Sequence, residues 1–178
     1  MRHILRRREI TVDPWRYLGE DAAAGEALIV PFAALRAERE RWWSWGGRLG
    51  VRLSPADRAE DLVADLPRLD LVAVEFPNPG DGRGYSQARL LRERFRFRGE
   101  LRAVGAGVRQ DQAFLLVRCG FDSLETTAGV NLEAVRGALH RYDVAYQPGA
   151  PQVGLRRQRF FASGGGRAPA PEVLSNDG

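Results

Sequence analysis

The chain has 178 residues, room for one domain with a real core and not comfortably for two. A single cysteine, Cys119, excludes an intrachain disulfide and a cysteine-held iron–sulfur cluster, and with His3 and His140 as the two histidines no metal site is expected. All 27 basic residues are Arg; residues 1–15 and 149–178 each carry four against two acids, which leaves 19 of each sign in residues 16–148 and speaks against a nucleic-acid-binding domain.

The N-terminus, Met1-Arg2-His3-Ile4-Leu5-Arg6-Arg7-Arg8, is basic but lacks the apolar core of a secretory signal. No apolar run approaches the roughly 20 residues of a membrane span, so no membrane role is expected and the expected compartment is the cytoplasm. Residues 3–12 read as an exposed strand or hairpin arm that ends at Asp13-Pro14, after which Trp15, Tyr17 and Leu18 fold back on the core. Ala27-Leu28-Ile29-Val30 is a short buried strand. A helix over residues 33–45 follows, its Trp42, Trp43 and Trp45 covering a sheet edge, and Gly46-Gly47 ends it. Residues 49–53 form the next strand, and Ser54-Pro55-Ala56-Asp57 opens a helix with Leu62, Val63 and Leu66 inward. Pro67 stops it, and residues 69–76 form a central strand.

The turn after that strand organises the chain: Glu75-Phe76-Pro77-Asn78-Pro79-Gly80-Asp81-Gly82-Arg83-Gly84-Tyr85-Ser86. A helical pattern with Leu90, Leu91 and Phe95 on one face comes next, so Ser86 is placed to cap it. Gly82 and Gly84 allow a positive φ and a close backbone approach, and Arg83 faces the new N–H groups. The bland reading is a turn locked by an Asp–Arg pair; the functional one is an anion site. From Arg83 to Arg102 the chain carries seven Arg against Glu93 and Glu100, either a solvated helix face or a field for an acidic partner.

Gly99 breaks the run before a strand over residues 100–104, and Gly105-Ala106-Gly107 turns the chain into a helix near residues 110–112 with Ala113, Phe114 and Val117 inward. After Cys119-Gly120 come a strand over residues 121–125 and a last helix, capped by Asn131 and lined by Leu132, Val135, Leu139 and Tyr142. From about residue 148 the Pro-, Gly- and Ser-rich composition predicts a disordered tail, leaving residues 1–147 as one α/β domain. Five strands alternating with five helices predict a mostly parallel open sheet with helices on both faces; the alternative is a truncated or distorted β/α barrel. Both put ligands at the carboxyl ends of the strands, where the 81–86 and 105–112 turns lie.

Both Gly-rich turns lack the third glycine of a dinucleotide fingerprint, there is no Walker loop, and no cofactor can be named. Asp81 and Asp111 are the candidate catalytic acids. Gly82, Arg83, Gly84, Tyr85, Ser86, Arg89, Arg102, Gly105 and Gln112 are the candidate ligand contacts. Cys119 reads as a small buried hydrophobe, and His140 as a surface residue.

Taken together, Glu75-Phe76-Pro77, the run from Asp81 to Arg92, Gly99-Glu100-Leu101-Arg102-Ala103-Val104-Gly105, Asp111-Gln112 and Arg118-Cys119-Gly120-Phe121-Asp122 resemble one family over residues 10–145. It is the bacterial family of unknown function encoded beside assimilatory sulfite reductase and labelled as oxidoreductases of sulfite reduction. The resemblance implies a place in sulfate assimilation, with sulfite reductase or another protein of that process as partner. Reducing sulfite takes six electrons and a metal relay, which a chain with one cysteine does not hold by itself. The expected function is therefore an accessory that binds a small anion at the 81–86 turn or docks on the reductase. The alternative is an oxidoreductase or other enzyme acting on an anionic or phosphorylated small molecule with a bound organic cofactor.

Overall fold

Short strands rich in Leu, Val and Ile build one eight-stranded sheet in the computed structural model, which describes residues 2–141. Tyr142 and the expected tail from residue 148 lie outside the described residues. The strands are β1 His3–Arg6, β2 Glu9–Val12, β3 Trp15–Tyr17, β4 Ala27–Pro31, β5 Leu49–Leu53, β6 Leu71–Glu75, β7 Glu100–Gly105 and β8 Ser123–Thr126. Their order is β2-β1-β8-β7-β6-β5-β4-β3. From β3 to β8 every neighbouring pair is parallel, while β1 runs antiparallel to both β8 and β2.

This corrects the five-strand open sheet. The parallel strands stand in chain order, and right-handed crossovers between sequential neighbours all fall on one face. The helices are α1 Phe32–Ala37, α2 Arg39–Trp43, α3 Arg83–Arg89, α4 Ala113–Arg118 and α5 Leu132–Arg141. Their apolar residues, among them Leu35, Trp42, Leu116 and Leu139, share one core with Leu28, Val51, Val72, Val74 and Leu101 on the outer face of the sheet. Helices on both faces were expected; they lie on one. The inner face has its own smaller cluster of Trp15, Ala27, Ile29, Leu71 and Ala73.

The sheet curls strongly. Tyr17 of β3 and Glu125 of β8 are five strands apart in the order, about 24 Å in a flat sheet. Their side chains nonetheless hydrogen-bond at 2.7 Å. The result is a half-barrel, so the barrel alternative fits in part. The N-terminal residues form a hairpin, but not an exposed arm: Ile4 and Leu5 are fully covered and β1 pairs with β8.

Two expected helices are shorter than their patterns implied. Glu38 takes an extended φ of −134° and splits the Trp-rich helix into α1 and α2. Asp57 turns back to accept from Ser54 N and Oγ, both at 2.7 Å, a local bond that competes with helix formation. Only two 3₁₀ segments remain there, Ala59–Leu62 and Leu66–Arg68, and Val63 points outward. The Asn131 cap holds, its Oδ1 accepting from Glu133 N at 2.9 Å. A third feature is conformational. Arg7, Arg8 and Arg96, at φ 50°, 70° and 56°, are the non-glycine residues with positive φ among those described. Each costs roughly 1–2 kcal/mol relative to a relaxed backbone.

Candidate functional site

The turn after β6 is built on Phe76. Its N–H donates to Val104 O and its carbonyl accepts from Gly107 N, both at 2.8 Å, so the loops after β6 and β7 are joined. The buried Phe76 ring packs edge-on against Tyr85 at 5.1 Å and Phe121 at 5.7 Å. A Cβ on Gly84 would sit 2.5 Å from that ring, and one on Gly105 (φ +117°) would sit 2.5 Å from Phe76 O. These glycines let helix and strand close on each other. Gly82 has φ −83° and Gly84 is helical, so the positive φ expected at this turn is absent. Tyr85 Oη donates to Gln112 Oε1 at 2.5 Å. Gly84, Tyr85, Gly105 and Gln112 thus come together as the joint between two loops.

Asp81 and Arg83 stand at the solvent side of this joint. Arg83 donates from Nε to Asp81 Oδ1 at 3.0 Å and from Nη2 to Oδ2 at 2.7 Å, and its backbone N–H donates to Oδ1 at 3.1 Å. The guanidinium's bonds, then the backbone bond, hold the Asp81 carboxyl below the usual carboxylate range. An acid held that low is a poor proton acceptor near neutral pH. The Arg83 side chain stays 64% exposed, with Nη1 outside the pair. Ser86 does not cap the helix: α3 already starts at Arg83, with Gly82 in the cap position, so Ser86 lies inside the first turn. Arg89 pairs with Glu93 at 3.4 Å, and Asp111 pairs with Arg109 at 3.3 Å, both at the surface. Every arginine of the strand ends and strand-to-helix loops on this edge has an acid: Arg52 reaches Glu75 at 4.0 Å and Arg58 reaches Glu60 at 3.9 Å.

Arg102 lies elsewhere. It is in β7 opposite Ala73, pointing into the curl, with no exposed side-chain area. Its two Nη atoms take both oxygens of Asp13 at 2.9 Å, a bidentate pair, and reach Glu125 at 3.1 Å and Glu100 at 3.0 Å. Arg2 adds a bond to Asp13 at 2.9 Å, Arg6 meets Glu100 at 2.9 Å, and Ser123 Oγ donates to Glu100 at 2.7 Å. Burial would raise the Asp13 carboxyl, but the bonds and charge of Arg102, with those of Arg2 and Trp15 N–H, hold it low. Burial and then Glu125 push the Tyr17 phenol up, so it stays neutral and donates. Arg102 Nε is buried and has no acceptor among the described residues.

The sequence reading missed Asp13, Tyr17 and Glu125 as members of one network with Arg102. The available signal was polar residues at alternate positions in strands otherwise buried: Glu100 and Arg102 in β7, Ser123 and Glu125 in β8. Cys119 is buried as expected, and burial pushes its thiol up, against a nucleophilic role.

Residues 50–154 match the family described as bacterial protein of unknown function (DUF934). The chain belongs to this family. The matched span holds Arg52, Glu75, the Asp81–Arg83 pair, Arg102 and Glu125; Asp13 and Tyr17 precede it. No curated protein matches the chain. Among the described residues, no helix is long and apolar enough to cross a membrane.

Proposed function

We propose that this protein is an accessory of assimilatory sulfite reduction that holds a small oxyanion at the turn carrying Asp81 and Arg83. The observation that carries the reading is the pre-ordered Arg83: two hydrogen bonds to Asp81 fix its plane, while most of the side chain faces solvent. A guanidinium fixed in this way loses little freedom when an oxyanion docks on its remaining N–H groups. The turn lies beyond the carboxyl end of β6, the edge at which parallel α/β folds place ligands. Open space around Gly82 leaves the approach clear. The sulfite assignment rests on the family resemblance, and the accessory role on a single cysteine in the whole chain.

The test is a thermal-shift titration of the full chain with sulfite, sulfate, phosphate and simple organic phosphates, with Arg83→Ala in parallel. An anion at 100 times its Kd adds roughly 2.7 kcal/mol to the stability of the wild type. The reading expects a shift for sulfite that Arg83→Ala abolishes; no shift with any anion, or equal shifts in both proteins, overturns it. An enzyme reading is favoured by one observation, the polar groups inside the curl, where Tyr17 donates to Glu125 and Arg102 Nε lacks an acceptor among the described residues. A flavin or haem absorption band in the purified protein would select that reading.

A further inference from the structure

We propose that the opposite, N-terminal edge of the half-barrel is a docking surface for a protein partner presenting clustered carboxylates. The proposal stands apart from the anion site. This edge is one continuous rim held by hydrogen bonds. Arg7 N donates to Asp122 O at 2.9 Å, seating the β1–β2 turn beside the segment ahead of β8. Arg92 donates to Phe97 O at 2.7 Å and to Gly99 O and Gly120 O at 3.0 Å, joining the segments ahead of β7 and β8. Glu100 N donates to Asp70 O at 2.8 Å and Leu49 N to Asp70 Oδ2 at 3.2 Å, which continues the rim to β6 and β5.

Arg7, Arg48, Arg68, Arg96 and Arg98 stand exposed on this rim, and none forms an ion pair among the described residues. Arg48 lies over the Trp15 ring at 4.9 Å and Arg68 over Trp43 at 4.5 Å, so two of the cations are held in place without losing their charge.

Backbone geometry gives an independent argument. Arg7 and Arg8 form the two-residue loop of the β1–β2 hairpin, both with positive φ, a conformation that favours Asn-Gly. Arg96 adopts the same left-handed region in the loop ahead of β7. Arg7 and Arg96 thus keep exposed arginine side chains on strained backbone along one rim. Side chains kept where glycine would relieve strain point to a use outside the fold.

The exposed Glu9, Glu26 and Asp70 interrupt the rim. A nucleic-acid duplex, with a charge about every 1.7 Å along its axis, meets such interruptions with repulsion, whereas a folded partner can place its carboxylates between them. An acidic protein surface is therefore the better match.

The test uses the full chain and fluorescein-labelled poly-L-glutamate, followed by anisotropy at low and moderate salt, with a DNA duplex of equal charge alongside. The rim variant combines Arg7→Asn, Arg96→Gly and Arg98→Gln. A control removes the same charge elsewhere by Arg58→Gln, Arg109→Gln and Arg136→Gln. The expected result is at least tenfold weaker polyglutamate binding by the rim variant, with an unchanged or higher melting temperature, and a control within threefold of wild type. Equal losses in both variants would reduce the effect to net charge and overturn the proposal. So would no binding by the wild type, or a rim variant that melts lower than both other proteins. Tighter binding of the duplex than of polyglutamate would replace the protein partner by a nucleic acid.

Discussion

At the C-terminal edge of the half-barrel, Arg52, Arg58, Arg83 and Arg109 each have a carboxylate within 4.0 Å; at the N-terminal edge, Arg7, Arg48, Arg68, Arg96 and Arg98 have none among the described residues. Local spacing alone does not make the difference. Arg58-Ala59-Glu60, Asp81-Gly82-Arg83 and Arg109-Gln110-Asp111 each place opposite charges two residues apart in a loop, where they close on each other. Arg7-Arg8-Glu9, Arg68-Leu69-Asp70 and Arg98-Gly99-Glu100 have the same spacing without closing. Asp70 accepts from Leu49 N, and Glu100 is held by Arg102 and Ser123, so Arg7, Arg68 and Arg98 pair with an acid only where the fold brings one. It does so for Arg6, which meets Glu100, and not for Arg7. A body that is neutral by residue count is therefore polar along the barrel axis. Charge totals locate such a surface poorly.

The interior joins the two edges, and breaking it gives the largest expected effect. Arg102→Leu leaves Asp13, Glu100 and Glu125 buried without their common cation and should cost about 3–5 kcal/mol in urea unfolding. A loss below about 1 kcal/mol would mean that the edges are held independently of this network.

Gly84→Ala sharpens the comparison at the C-terminal edge. The new Cβ meets the buried Phe76 ring, and overpacking there should cost about 1–3 kcal/mol, loosening the turn that carries Arg83 while leaving the opposite rim intact. Gly82→Ala, with open space around it and φ −83°, should be neutral within about 0.5 kcal/mol. Similar effects at the two positions would remove the distinction between a packing glycine and a merely permitted one.

The smallest effect is on acid stability. Asp13 is held below its ordinary value in the folded protein, so its contribution is fully present above about pH 4, where an unfolded carboxyl titrates, and fades as pH falls through the lower folded value. In that window the unfolded chain binds the extra proton, and stability falls with pH. Asp13→Asn should flatten the pH dependence of the urea midpoint below pH 4 relative to wild type; equal slopes would show that Asp13 is not a source of it.

Several local features were legible in the sequence because neighbours in the chain decide them. Apolar runs marked β4 to β8, the Asn131 cap holds, and Asp81 fixes Arg83 as their spacing implied. Glu38 and Asp57 broke the longer helical patterns, since one backbone angle or one side-chain bond outweighs a weak periodic preference over a few residues. The role of Arg102 was not legible. Asp13 lies 89 residues away from it, and sequence gives no measure of which carboxylate a curled sheet will bring to a given guanidinium. The same holds for the curl itself: an alternating β/α pattern is compatible with open sheets and barrels alike, and only the strand order separates them.

By itself, then, the sequence determined strands β4 to β8 and the Asp81–Arg83 pair, all matters of residues a few positions apart. The tertiary structure alone decided that the helices share one face, that Arg102 is sealed among acids, and that Arg7, Arg48, Arg68, Arg96 and Arg98 at one edge form no ion pair among the described residues. Those depend on contacts between distant segments, whose geometry is set when the whole sheet closes.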